Sequence, residues 1–185
     1  MRSTILFEQN NENKLYLTAL GHLNSLLKEK SVKNEAIGLA SNSIKKCKGC
    51  FGCWIKTPGE CVVGDYGNDI AKQVINSDYC IILTSIRFGS YSSTIKQAVD
   101  RFIPLISPLF RFIDGETHHK VRYDKYPRLI PIGILNSHNK REEELFKRII
   151  MRNRINLFTP QENQIVISDK DAGETIKEKI TNIFN

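Results

Sequence analysis

Short apolar runs alternate with amphipathic stretches along nearly the whole chain, and that alternation limits the fold more than any other feature. Asp78-Tyr79-Cys80-Ile81-Ile82-Leu83-Thr84 is the strongest run, rich in β-branched residues and ending on a polar stop. It reads as a strand buried on both faces. Ser3 to Glu8, Asn34 to Ala40, Leu129 to Leu135 and Gln164 to Ile167 read as four more strands. Pro131, inside the fourth strand in chain order, removes one ladder donor there. Between the strands, Tyr16, Leu20, Leu23 and Leu27 recur at helical steps, and Asn68 to Asn76 reads as a second helix. Ile95, Ala98, Val99 and Phe102 form the apolar face of a third, closed by Pro104. Asn139 and Glu142 resemble a capping box that would open a fourth, carrying Leu145, Phe146, Ile149 and Ile150. Ile176, Ile180, Ile183 and Phe184 mark the last helix. Strands alternating with helices in this way imply right-handed βαβ units. The expected fold is a three-layer α/β/α sandwich around a five-stranded parallel sheet. Ligands of such sheets bind at the carboxyl ends of the strands, so the loops after the first, third and fourth strands carry the candidate site.

At 185 residues the chain is expected to form a single domain, 1–185. It carries a cysteine loop at about 45–65 and an insertion at about 105–128, where four aromatics and the His118-His119 pair show no clear periodicity. No apolar run approaches the roughly 20 residues of a membrane span. The stretch Met1 to Phe7 runs into Glu8 without a cleavage pattern. A cytoplasmic protein with no membrane partner is therefore expected. The net charge is +7, from 27 Lys and Arg against 20 Asp and Glu. The basic residues are interleaved with acids, apart from concentrations at Lys120 to Arg128 and Lys147 to Arg154, and no nucleic-acid motif accompanies them. They read as a solvated basic face, with no nucleic-acid partner.

Of five cysteines, four fall in one loop as Cys47-x2-Cys50-x2-Cys53-x7-Cys61. Two-residue spacings let neighbouring sulfurs converge, and Gly49 and Gly52 permit the tight turns this requires. Three readings stand side by side: the four-thiolate shell of an iron–sulfur cluster, a zinc site, and thiols that hold no metal. Cys80, inside the strongest strand, reads as an inert core thiol.

The segment Cys47-Lys48-Gly49-Cys50-Phe51-Gly52-Cys53-Trp54-Ile55-Lys56-Thr57-Pro58-Gly59-Glu60-Cys61 resembles the corresponding loop of the NAD(P)H-dependent FMN reductase and iron–sulfur flavoprotein family, which has a flavodoxin-like fold. The resemblance continues through Asp65, Phe88 to Ser93, Lys96, Asp100-Arg101, His118-His119-Lys120 and Arg122 to Pro127, covering about residues 45–135. It implies FMN at the sheet edge, NAD(P)H as electron donor, and in the cluster-bearing branch a [4Fe–4S] centre on Cys47, Cys50, Cys53 and Cys61. It also implies self-association, with the 105–128 insertion as a contact.

The phosphate of FMN would lie in the loop after the first strand, where the family carries a Gly-Ser-Pro-like stretch. Here the loop reads Glu8-Gln9-Asn10-Asn11-Glu12-Asn13-Lys14, without Gly, Ser or Thr. Asn10, Asn11, Asn13 and Lys14 remain as donors, while Glu8 and Glu12 would repel a phosphate. The flavin ring would meet Ser85, Ile86, Arg87, Phe88, Gly89, Ser90 and Tyr91 after the third strand, with Asn136, Ser137 and His138 as a further wall. Ser85 and Arg87 stand where the family has Pro and Tyr. No residue is assigned a catalytic role. The expected activity is FMN-dependent electron transfer from NAD(P)H or a reduced carrier to a small molecule such as a quinone, nitro compound or flavin. The alternatives are an iron–sulfur flavoprotein electron carrier and a cofactor-free interaction protein.

Overall fold

A computed structural model describes residues 1–41, 43–160 and 164–184. In chain order the elements are β1 (Arg2–Glu8), α1 (Lys14–Glu29), β2 (Lys33–Leu39), α2 (Gly52–Ile55), α3 (Tyr66–Ile75), β3 (Tyr79–Ser85) and α4 (Ser93–Asp100). They continue with β4 (Phe110–Ile113), β5 (Glu116–His119), β6 (Arg128–Leu135), α5 (Lys140–Asn156), β7 (Ile165–Ser168) and α6 (Gly173–Thr181). Five strands pair in the order β2-β1-β3-β6-β7, every pair parallel. This is the expected flavodoxin-like sandwich. The order reverses between β1 and β3, which makes their carboxyl ends the switch point.

Alternation along the strands sorts side chains to the two faces. Ile5, Ile81, Leu83, Ile130, Ile132 and Ile134 face α1 and α6, where Tyr16, Leu23, Leu27, Ile176 and Ile180 meet them. Leu6, Ile37, Cys80 and Ile82 face the other way, onto Ile70, Val74, Ile95, Phe146 and Ile150. Burial pushes the Cys80 thiol up to about 12, in keeping with an inert core residue. Pro131 is tolerated in this interior position by its register. Leu129 N–H goes to Thr159 Oγ1, on the side of β6 where β7 pairing begins only at Ile132 opposite Ile165. The donor missing from Pro131 falls on that same side, before the ladder starts.

Two segments differ from expectation. The insertion holds an antiparallel hairpin, β4 against β5, turning at Asp114-Gly115 with both residues at positive φ. The cysteine loop holds the single helical turn α2. In addition, α3 begins at Tyr66 rather than Asn68, because Asp65 Oδ1 caps it by accepting from Gly67 N–H at 3.1 Å.

The cysteine loop is held to the sheet by Arg101, which is 2% exposed at the end of α4. Its guanidinium donates to Lys45 O at 2.9 Å, Val63 O at 3.0 Å and Asn68 Oδ1 at 2.9 Å, and pairs with Asp65 Oδ1 at 2.8 Å. One side chain thus grips both ends of the loop. Partial burial alone would raise the Asp65 carboxyl, but the Arg101 guanidinium and the N–H groups of Lys45 and Gly67 outweigh it and hold the carboxyl below its ordinary value. Removing one partner from a pair this enclosed leaves an uncompensated charge. Arg101→Ala is therefore expected to cost about 3–5 kcal/mol in urea unfolding. A depressed carboxylate stabilises the fold above its unfolded value, near 3.9, and loses that contribution as pH falls through its folded value. Urea midpoints measured from pH 6 to pH 3 should show this acid-side loss in the wild type, with its Asp65 component absent in Asp65→Asn.

Candidate functional site

The carboxyl ends of β3 and β6 lie side by side, with Ser85 opposite Ile134. Beyond β3 the chain makes a tight turn, in which Arg87 N–H donates to Ser90 O and Ser90 N–H to Arg87 O, both at 2.9 Å. The two residues between, Phe88 and Gly89, sit at φ +52° and +71°. That is the pattern of a two-residue hairpin turn with both centres left-handed. Phe88 is 95% exposed. A bulky aromatic side chain in a left-handed conformation and in water is costly on both counts, and such positions concentrate where a ligand is met. The turn is packed against α5. Gly89 is buried under α5, where a Cβ would come within 2.5 Å of Leu145 Cβ, and its N–H faces Glu142 Oε2 at 3.4 Å. Asn139 Oδ1 caps α5 by accepting from Arg141 and Glu142 N–H, while the carboxylate of Glu142 reaches Gly89.

Ile86, Arg87 and Phe88 line one side of a cleft of about 350 Å3, and Leu135, Asn136, Ser137, His138 and Asn139 line the other. The two loops proposed from the sequence therefore do meet. Four of the residues proposed for this side lie elsewhere. Tyr91 is in the core, its hydroxyl accepting from Asn153 Nδ2 at 3.0 Å and its ring edge-on to Phe146. Ser85 is buried and faces β1, and Gly89 lies under Leu145. Ser90 closes the turn through its backbone.

The end of β1 differs from a phosphate cradle. Glu8 accepts from Ser85 N–H at 2.7 Å, from the Ser85 hydroxyl at 3.0 Å and from Asn11 Nδ2 at 2.6 Å. Asn11 Oδ1 takes the N–H of Asn13, and Asn13 Oδ1 caps α1 at Tyr16 N–H. Asn10 and Lys14 are exposed. The loops after β3 and β6 thus form a cleft with an aromatic rim, whereas at the end of β1 the Glu8 carboxylate already occupies the donors of Ser85 and Asn11, a poor fit for a phosphate at that spot.

In the cysteine loop, Cys47 and Cys50 are exposed, Cys61 is half-buried and Cys53 is buried in α2. Trp54 pins this turn, with Nε1 donating to Ile106 O at 3.0 Å and its ring against Phe51 and His119. Gly52 packs so tightly on Val62 that a Cβ would come within 2.6 Å of it. Among the described residues, no group of three or more His, Cys, Asp or Glu side chains is placed to hold a metal ion. The four-thiolate shell read from the spacing of Cys47, Cys50, Cys53 and Cys61 is thus not assembled: α2 turns Cys53 inward while Cys47 and Cys50 face solvent. His118 is buried between Glu116 Oε2 and Asn156 Oδ1, and His119 Nδ1 lies 2.7 Å from Ser107 O, so both histidines secure the hairpin. A larger hollow of about 640 Å3 runs between Cys61, α3 and Tyr123. It reaches Ser77, at the opposite end of β3 from the switch point.

The model of the NADPH-dependent FMN reductase family matches residues 1–121. An iron–sulfur flavoprotein of Methanocaldococcus jannaschii is 32% identical over 77 residues, which span 42% of this chain and 39% of that protein. Among solved structures, an NAD(P)H:quinone oxidoreductase from Methanothermobacter marburgensis superposes with a TM-score of 0.73 at 10% identity, covering 100% of this chain and 98% of the other. An FMN-dependent NADH-azoreductase from Bacillus anthracis, in complex with FMN, gives 0.67 at 13% identity, covering 100% and 99%. These two likenesses concern the fold.

The thiols should differ in reactivity. Burial, and then the charges of Cys61, Cys47 and Cys50, raise the Cys53 thiol above its ordinary value. Timed alkylation with iodoacetamide at pH 8, read by peptide mass mapping, should label Cys47 and Cys50 first. Cys53 and Cys80 should follow at least about tenfold more slowly.

Proposed function

The chain belongs to the NADPH-dependent FMN reductase family, and from that premise we propose that it is an oxidoreductase whose flavin ring lies in the cleft between residues 86–88 and 135–139. Flavin supplies hydride and single-electron exchange. The protein's part is to hold and polarise the ring. Phe88 presents an aromatic face on a turn that α5 keeps rigid. Arg87 brings a positive charge to the same rim, where it favours negative charge on the reduced ring. Ile86 and Leu135 give the cleft an apolar floor, and Asn136, Ser137 and His138 add polar groups on the far wall. NAD(P)H is the proposed donor, and a quinone, nitro compound or free flavin the proposed acceptor.

The observation that carries this reading is Phe88, whose exposure and backbone strain have no use within the fold itself. Further features of the chain suit the same protein. Its thiols, none of them paired, fit a reducing compartment such as the cytoplasm. The exposed Leu109, Phe110 and Phe112 of the insertion suit a contact between copies of the chain.

Purified protein supplied with FMN should oxidise NADH or NADPH in the presence of a quinone, followed by the loss of nicotinamide absorbance. Phe88→Ala should weaken flavin binding by about 1 kcal/mol, roughly a fivefold rise in Kd. Its urea midpoint should not move, since so exposed a ring adds little to the core. Equal flavin affinity in the two proteins would remove the ring from this cleft.

A further inference from the structure

The switch point is where an anionic ligand group would find donors, and in this chain three of them are taken. Ser85 offers a backbone N–H and a hydroxyl, and Asn11 offers Nδ2; all three point to the Glu8 carboxylate, at 2.6 to 3.0 Å. The N–H of Glu8 itself donates to the hydroxyl of Tyr16 at 2.7 Å, and that hydroxyl donates to Leu83 O at 2.9 Å. Tyr16 is fully buried, and its hydroxyl bridges the ends of β1 and β3. Gln9 N–H is given to Leu39 O. An arriving phosphate would meet a like charge already bonded to the groups it needs.

We propose that Glu8 is a built-in occupant of the anion position and that it sets which flavins the protein accepts. Flavins are then held by the ring, the phosphate adds nothing, and riboflavin is as good a ligand as FMN. The proposal rests on the flavin reading of the neighbouring cleft. It adds to that reading the class of ligand: neutral flavins together with phosphorylated ones.

Titration of riboflavin and of FMN, followed by quenching of flavin fluorescence, tests this on the wild type and on Glu8→Gln. In the wild type the two dissociation constants should agree within about threefold. Glu8→Gln keeps an acceptor for Ser85 but removes the charge, so FMN should bind about tenfold more tightly while riboflavin stays within about twofold. Wild-type protein that prefers FMN by tenfold or more would overturn the proposal and leave the flavin reading standing. An unchanged FMN-to-riboflavin ratio in Glu8→Gln would likewise overturn it. Quenching of neither flavin would end the flavin reading, and this inference with it. Should Glu8→Gln fail to fold, the wild-type ratio alone decides.

Discussion

Every residue of β3 is buried, and the rest of the sheet follows from what that burial requires. A strand enclosed on both faces has to satisfy its backbone through neighbours on both edges. Here β1 and β6 supply them, in parallel, which obliges the connections to cross over as helices. Parallel pairing then aligns the carboxyl ends of the three central strands. Glu8, Ser85 and Leu135 come to one rim from positions far apart in the chain. The polar network at β1 and the cleft beside β6 are both consequences of one buried heptapeptide.

The alternating pattern made the five sheet strands and the main helices readable because each has a buried face with its own period. The elements that escaped have no such face. In β4 the rings of Phe110 and Phe112 point into water, so their period of two looks like an irregular aromatic cluster. The usable signal was Asp114-Gly115, a pair suited to a two-residue hairpin turn, flanked by Phe-Arg-Phe-Ile and Glu-Thr-His-His. The single turn α2 is too short to show any period. The loops that line the cleft were legible from strand order and resemblance, but Tyr91 was misplaced because an aromatic residue in a loop reads the same whether it faces a ligand or a core.

Charge was half legible. The sequence alone says that Glu8 opposes a phosphate. It cannot say that Glu8 is held by donors from Ser85, 77 residues away. The thiols make the same point in reverse. Their spacing is a local fact and permits convergence, whereas the placement of the loop depends on Trp54 and Arg101, which tie it to α4 and the segment after it. Lys96 and Asp100, also singled out by resemblance, form an ion pair one turn apart on α4, and Arg101 continues that helix into the loop.

The turn that carries Phe88 has a bearing on kinetics. Two backbone hydrogen bonds and the close packing of Gly89 under Leu145 fix its shape before any ligand arrives. The conformational strain is therefore met during folding, from the stability of the whole domain, and not at the moment of encounter. A planar ligand bound there, as proposed, would find its contact surface already in place. Its association rate would then be governed by diffusion and orientation, without a preceding loop rearrangement, and differences in affinity among ligands would appear in how long each one stays.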